Sequence, residues 1–424
     1  MSSKKVFSLQ GKGLKLTTKE DIEPHLKELR SMPEVEEIHI GGNTLGAPAC
    51  QALAEVIKDL KHLRVADYAD IFTGRLIDEI PTAIGALTDA LIHSTSIREV
   101  DLSDNAYGPR CAPSLVPFLS QNTHFTILKL SNNGLGPEGS TIIAEALEAN
   151  AKNARRAAAR TAMGARMMGS VNPLDNQATM QNNEPFKSNL RVFHCGRNRM
   201  QMESMAAWGK TFAAHGGLQE VRLYQNGIFE AGFPPLIAGL SACPDLQYLD
   251  LADNTINKQG CAAIARALPC WPQLTILNLS ESYLTNAGAT AIFNVLKTGT
   301  SPKLTSLQLQ FSEIGEKAMM VLAQAILDHG ANITSLSLNG NIAKAEGKAV
   351  QEVMDALDAH GHSDALDELE EMEEPEEEEE EEEAEERLLD EVGEDEQTLR
   401  EKLKEGAKDA SVDELAEALG KTSI

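Results

Sequence analysis

Residues 125–136 read FTILKLSNNGLG, and the spacing of their apolar side chains decides the architecture. In a strand successive side chains alternate between two faces, so Leu128 and Leu130 point one way while Lys129 points the other. Asn133 follows where a strand must end and the chain must turn. A buried corner of that kind leaves backbone N–H and C=O groups without a sheet partner, and one side-chain amide can donate to some and accept from others. Leu135 and Gly136 close the turn. The next residues, PEGSTIIAEALEAN, carry apolar groups at helical spacing.

The same unit recurs outward in both directions. It begins at Val35 (VEEIHIGGNTLG), Leu63, Ile97 (IREVDLSDNAYG), Phe125, Leu190, Leu218, Leu246, Leu274, Leu304 and Ile333. The steps between starts are 28, 34, 28, 65, 28, 28, 28, 30 and 29 residues. A repeat near 28–29 residues with one short strand and one full helix is the pattern of a leucine-rich-repeat solenoid. The expected fold class is therefore α/β: a ribonuclease-inhibitor-like horseshoe, with parallel strands on the concave face and helices on the convex face. Each unit has an apolar face that only its neighbours can cover, so the array has to be continuous.

This reading divides the chain into residues 1–34 as an N-terminal cap and 35–360 as a repeat domain of about ten units. An insertion near 152–188 is expected to extend the preceding helix with a basic face (Arg155, Arg156, Arg160, Arg166) before a Gly/Asn/Pro loop. Both a solvated insertion and a partner contact fit its composition. Residues 361–397 read as an acidic disordered tail, and 398–424 as a C-terminal segment forming a short helix with Val412, Leu415 and Leu419 on one side.

Charge and cysteine usage narrow the function. The formal net charge is −26, of which residues 364–397 carry −21 and the other 390 residues only −5. Without clustered Lys and Arg over the repeat body, a general nucleic-acid partner is not expected. No apolar run is long enough to span a bilayer, so neither is a membrane. Cys50, Cys111, Cys195, Cys243, Cys261 and Cys270 show no paired or zinc-ligand spacing and lie in apolar segments, where they read as reduced core residues. GLGPEG (134–139) matches the dinucleotide-binding glycine pattern. The repeat explains it better, because Gly46, Gly74 and Gly108 stand in the slot of Gly136. No resident metal, cofactor or independent hydrolytic site is expected.

The second unit, LRVADYADIFTGR, departs from the repeat. Ile71 stands where the corner Asn belongs, Thr73 replaces a Leu, and Arg75 follows Gly74 on the loop toward the helix. In the fourth unit Asn132 precedes the corner residue Asn133. Gly42, Asp70, Asp104, Arg197, Gln225, Asp253 and Glu281 hold the same slot in other units, so these side chains are expected to line one rim. At a strand spacing of about 4.8 Å, Arg75 and Asn132 would stand roughly 10 Å apart, within reach of one partner.

The stretches DIFTGRLIDEIP (70–81), LSDNAYGP (102–109), LSNNGLGP (130–137) and CGRNR (195–199), with the Glu-rich tail, resemble the RanGAP proteins, which activate GTP hydrolysis by the small GTPase Ran. The resemblance covers essentially the whole chain and is closest to a short form without a further C-terminal domain. It implies that Arg75 and Asn132 are the catalytic pair. Asn132 would order the GTPase's own tyrosine and glutamine, and Arg75 would anchor the switch region without entering the nucleotide pocket. Asp70, Phe72, Thr73, Asp78, Asp104, Arg197 and Arg199 would add partner contacts. It further implies a monomer acting on Ran in its GTP form, with a Ran-binding protein as a further partner. GTP and Mg would belong to the GTPase. The location implied is cytoplasmic with some nuclear or perinuclear presence, in support of nucleocytoplasmic transport. Ile77 departs from members with a basic residue there. Two other readings of the residues remain open: a binding-only repeat protein resembling ribonuclease inhibitors, and an acidic histone chaperone.

Overall fold

The computed structural model describes residues 5–167 and 186–374. By contact the chain divides into two units, Met1–Asn198 and Arg199–Ile424. Each is a parallel sheet of three-residue strands whose crossovers are helices.

In the first unit β1 (Val6–Ser8) is followed by β2 (Lys15–Leu16), α1 (Lys19–Arg30), β3 (Glu37–His39), β4 (Thr44–Leu45), α2 (Ala47–Ile57), β5 (Val65–Asp67) and α3 (Ile80–Asp89). Then come β6 (Glu99–Asp101), α4 (Gly108–Gln121), β7 (Ile127–Lys129), α5 (Gly136–Met167) and β8 (Val192–His194). Strands β1, β3, β5, β6, β7 and β8 pair in parallel in that order, with Phe7, Ile38, Ala66, Val100, Leu128 and Phe193 in register. All six of those central residues are buried, while their strand neighbours look outward. Parallel pairing requires a crossover between strands, and the helix of each repeat supplies it.

Residues 1–34, read as a cap, are built on the plan of a repeat. β1 adds to the main sheet, β2 pairs with β4, and α1 starts at a reciprocal cap in which Thr18 Oγ1 accepts from Asp21 N–H and the Asp21 carboxylate accepts from Thr18 N–H. Gly46 is required where the cap meets the first repeat: a Cβ there would lie 2.5 Å from the Thr17 carbonyl oxygen.

The corner asparagines form a buried ladder. Asn133 Nδ2 donates to the carbonyls of Leu130 (2.8 Å) and of Leu102 in the preceding repeat (3.0 Å), and its Oδ1 accepts from Asn105 N–H (3.0 Å). Asn105 does the same toward Leu102, Tyr68 and the N–H of Ile71. Asn198 repeats it toward Cys195, Leu130 and Asn133 N–H. One amide thus ties two adjacent corners together.

The insertion extends α5 to Met167, and from Arg155 to Met163 its side chains are exposed. Arg155, Arg156 and Arg160 lie on that stretch, which alanines hold helical by propensity. The Gly/Asn/Pro loop falls in 168–185, outside the described residues.

In the second unit β9 (Glu220–Arg222), β10 (Tyr248–Asp250), β11 (Ile276–Asn278), β12 (Ser306–Gln308) and β13 (Ser335–Ser337) pair in parallel. Asn226, Asn254 and Asn341 continue the corner pattern. Ser282 and Ser312 replace it at two positions, where each hydroxyl donates to a nearby carbonyl.

The repeat domain does not stop at 360, and the acidic tail does not begin at 361. Leu336 N–H donates to Ala365 O (2.8 Å), Asp367 N–H to Leu336 O (3.0 Å), and Glu373 N–H to Asn341 O (2.9 Å). The Asp367 carboxylate accepts from Leu338 N–H and from Gln310 Nε2. These residues satisfy the free edge of β13, which composition alone does not reveal. The C-terminal segment and the Glu run from 375 onward lie outside the described residues.

Asn132 and Asn133 offer a paired test of the ladder. Asn133→Ala leaves the Asn105 N–H unpaired in the core and takes one of two amide donors from each of the Leu102 and Leu130 carbonyls, and should destabilise by about 2–3 kcal/mol. Asn132→Gly, on the surface, should stay within about 0.5 kcal/mol. Denaturant titration of both variants checks this, and equal losses would refute the ladder's weight.

Candidate functional site

The residues that carry the resemblance gather on one edge of the first unit, where each strand gives way to its corner. There the slot before the corner residue is left-handed in every repeat: Gly42 (φ 71°), Asp70 (49°), Asp104 (61°), Asn132 (55°) and Arg197 (57°). Their N–H groups run along the edge as a chain, Gly42 to Asp70 O, Asp70 to Ser103 O, Asp104 to Ser131 O and Asn132 to Gly196 O, at 2.8–3.0 Å. Because this chain fixes the backbone, each side chain stands outward at a set position. Asp and Asn tolerate the left-handed region better than most residues.

Asn132 is exposed, and its Nδ2 donates to Asp104 Oδ1 at 2.8 Å. That leaves the amide oxygen directed by a fixed partner, with one N–H still available. Asp104 is therefore a positioning group for Asn132 as well as a surface carboxylate.

The loop after β5 is held from inside. Ile71 is fully buried in the corner slot, and its N–H and C=O bond to Asn105 Oδ1 and Leu45 N–H. Phe72 is only 3% exposed and packs 6.2 Å from the Tyr107 ring. This corrects the expectation that Phe72 touches a partner: with its ring in the core it shapes the loop instead. Thr73 is exposed but donates to Asp70 Oδ1 at 2.6 Å, bracing the turn.

Arg75 is half-buried and bound on three sides. Its Nε donates to Thr44 Oγ1 (2.9 Å), and one terminal nitrogen donates to Thr44 O (3.0 Å) and Thr17 Oγ1 (3.0 Å). The guanidinium thus folds back over the first repeat and the cap. Three repeats then separate it from Asn132, about 14 Å by strand spacing, against the roughly 10 Å expected. Sequence reasoning missed Thr17 and Thr44, 58 and 31 positions away, because nothing local marks them. It also missed the apolar knob beside Arg75: Leu76 is 76% exposed and Ile77 is exposed too. An Leu-Ile pair in a loop flanked by charges is the signal that could have found it.

The remaining expected contacts are less concentrated. Asp78 pairs with Arg110 at 3.0 Å, both exposed, so part of its charge is already answered. Arg197 is exposed on the same edge as Asn132. Arg199 belongs to the second unit, in a groove with Gln225 and Phe229.

The outer face of the first unit's sheet is acidic with two cations set into it. His39 lies 3.0 Å from Asp67 and 3.1 Å from Glu37, and Lys129 reaches Glu99 at 2.6 Å. Burial pushes Asp101 up from its ordinary carboxylate range. Burial alone would lower the His39 pKa, but the hydrogen bonds to Asp67 and Glu37 outweigh it and raise it. Away from the site the six cysteines are free and buried, and burial pushes the Cys111 thiol up to about 11.

With this geometry in view, comparison with known proteins is informative. A family model described as Leucine Rich repeat matches residues 121–140 and 242–265. The chain is 40% identical over 357 residues to Ran GTPase-activating protein 1 of Xenopus laevis, which spans 83% of this chain and 56% of that protein. Ran GTPase-activating protein 1 of Saccharomyces cerevisiae is 34% identical over 252 residues, 58% of this chain and 55% of its own length. Ran GTPase-activating protein 2 of Caenorhabditis elegans is 34% identical over 235 residues, 55% of this chain and 22% of that one. The chain thus spans about half the length of the first two. The fold class is a leucine-rich-repeat solenoid, and the resemblance read from residues 70–81, 102–109, 130–137 and 195–199 is matched by relatives in several organisms.

The His39 cluster sets a pH dependence. A histidine whose folded pKa is raised contributes fully below its unfolded value, and the contribution is lost as pH rises through the folded value. The stability gap between the native chain and His39→Gln should therefore be larger near about pH 5.5 than near about pH 8.5. Thermal unfolding at both pH values checks it, and a constant gap would show that the cluster does not titrate as described.

Proposed function

We propose that this chain, similar as it is to Ran GTPase-activating proteins, accelerates GTP hydrolysis on Ran in its GTP form through the edge of the first unit. The observation that carries the proposal is Asn132: an exposed amide, locked by left-handed backbone and by Asp104, on the edge that also bears Arg75. Hydrolysis needs a water aligned with the γ-phosphate and stabilisation of developing charge. The chemistry then takes place in the partner, which brings its own nucleotide and Mg, and this chain is an activator and not an enzyme in itself.

In this proposal the Asn132 amide orders the partner's own tyrosine and glutamine. Arg75, tied to Thr17 and Thr44, serves as a fixed anchor for the switch region, with Leu76 as an apolar contact beside it. Asp70, Asp78, Asp104 and Arg197 provide charged contacts, and Thr73 braces Asp70. Arg199 is a more distant contact. The chain would act as a monomer, alone or with a Ran-binding protein, in the cytoplasm, where discharging Ran-GTP supports nucleocytoplasmic transport.

Single-turnover GTP hydrolysis on Ran tests this. Asn132→Gly, which keeps the left-handed backbone unstrained, should lower the accelerated rate about 100-fold, as loss of one positioned polar group does. Arg75→Ala should cost a similar factor, chiefly in affinity. A chain ending at Glu374 should keep its activity, since it retains the segment bound to β13. If none of these chains, the unaltered one included, accelerates Ran, the proposal fails and only the fold remains.

A further inference from the structure

The second unit carries a groove of which the proposed role uses only Arg199. Its lining includes the rings of Phe229 and Tyr283, with Gln225, Asp253, Glu281 and Arg199. Both rings are 53% exposed, so neither is explained by packing inside the unit.

Tyr283 also sits on left-handed backbone (φ 50°), in the position just after the corner residue. In that same position two other repeats have glycine, Gly134 at φ 61° and Gly227 at φ 62°, and three have Ala106, Arg199 and Glu313 at φ 50–57°. Glycine adopts this conformation without strain and a tyrosine does not. The repeat imposes this backbone whatever the residue, so what distinguishes the position is the ring it presents: two half-exposed aromatic side chains in one groove form an apolar surface that the fold does not cover.

The charges say what does. Asp253 and Glu281 project from successive repeats, and among the described residues neither carboxylate has an ion-pair partner. Two open carboxylates beside aromatic faces suit a guanidinium, which can bond to carboxylate through its fork while stacking on a ring. Arg199 at the groove's boundary disfavours a run of cations and favours a carboxylate near that arginine. We propose that this groove is a second docking site, which takes a protein segment bearing one arginine with an acidic residue nearby.

A net-neutral fluorescein-labelled peptide with one arginine and one glutamate tests it on the full chain, because zero net charge removes general attraction to the Glu-rich stretch. Its counterpart with citrulline in place of arginine keeps the shape without the charge. Fluorescence anisotropy should show saturable binding of the arginine peptide and about tenfold weaker binding of the citrulline peptide. Tyr283→Gly and Asp253→Asn should each weaken the arginine peptide several-fold, with unfolding midpoints not lowered, while Tyr283→Phe keeps binding. No binding up to about 1 mM peptide, or equal binding to the native chain and both variants, would overturn the site. Loss of Ran-stimulated hydrolysis in Tyr283→Gly would overturn its independence, placing the groove within the Ran-binding surface. Unchanged hydrolysis alongside lost peptide binding separates the two.

Discussion

A single side-chain amide in most repeats holds the corners of this structure, with Ile71, Ser282 and Ser312 in its place elsewhere. Where a strand ends, the backbone turns inside the protein, and its N–H and C=O groups have neither a sheet partner nor water. Asn105, Asn133 and Asn198 meet that need by donating to one carbonyl at home and one in the preceding repeat while accepting an N–H across the same gap. Leaving such groups unpaired costs about 1–3 kcal/mol each. The ladder therefore fixes the spacing of the repeats, and with it the left-handed residue that immediately precedes each rung. Asp70, Asp104, Asn132 and Arg197 are outward and ordered because their neighbours are inward and saturated.

This coupling explains which features could be read from residues alone. The strands, helices and rungs follow from Leu and Asn at a fixed period, since burial and polar satisfaction repeat with the chain. The distinction between Asn132 and Asn133 was legible for the same reason: only one of two adjacent asparagines can occupy the rung. Phe72 was misread because Ile71 has displaced the rung residue in that repeat. Once the corner is apolar, the following ring can join the core beside Tyr107. The clamp on Arg75 joins residues remote in sequence, and Thr17 and Thr44 have no pattern that announces it. The end of the array was hidden by composition, because Asp367 and Glu373 read as tail although backbone bonds hold them to the last repeat.

The residue types in the left-handed slots vary along both edges. The first unit sets Gly42, Asp70, Asp104, Asn132 and Arg197 in the left-handed slot before the corner, and all but the arginine accept that backbone at little or modest cost. The second sets Gln225, Asp253, Glu281, Phe311 and Gly340 there, of which Asp253 and Gly340 suit it and the others less. A left-handed residue costs roughly 1–2 kcal/mol when it carries an ordinary side chain. The repeat demands the conformation but not the residue type, so the type found there reflects what the edge presents outward.

On the proposed role, the hydrogen bonds of Arg75 favour one of two ways in which an arginine can assist a GTPase. A finger that enters a nucleotide pocket gives about 10³–10⁵ in rate, some 4–7 kcal/mol of barrier. To reach a pocket, Arg75 would have to leave Thr44 and Thr17, giving up three hydrogen bonds. At about 1 kcal/mol for each partly solvated bond, that release offsets a large part of the gain before any chemistry occurs. An anchor meets the opposite requirement. Held in place beforehand, the guanidinium loses little further freedom when a partner arrives, so the binding energy it offers is not spent on ordering it. The same argument extends to Asn132, whose amide is already oriented by Asp104. Both groups are arranged before contact, which suits a protein whose proposed task is to hold another protein's catalytic residues in place.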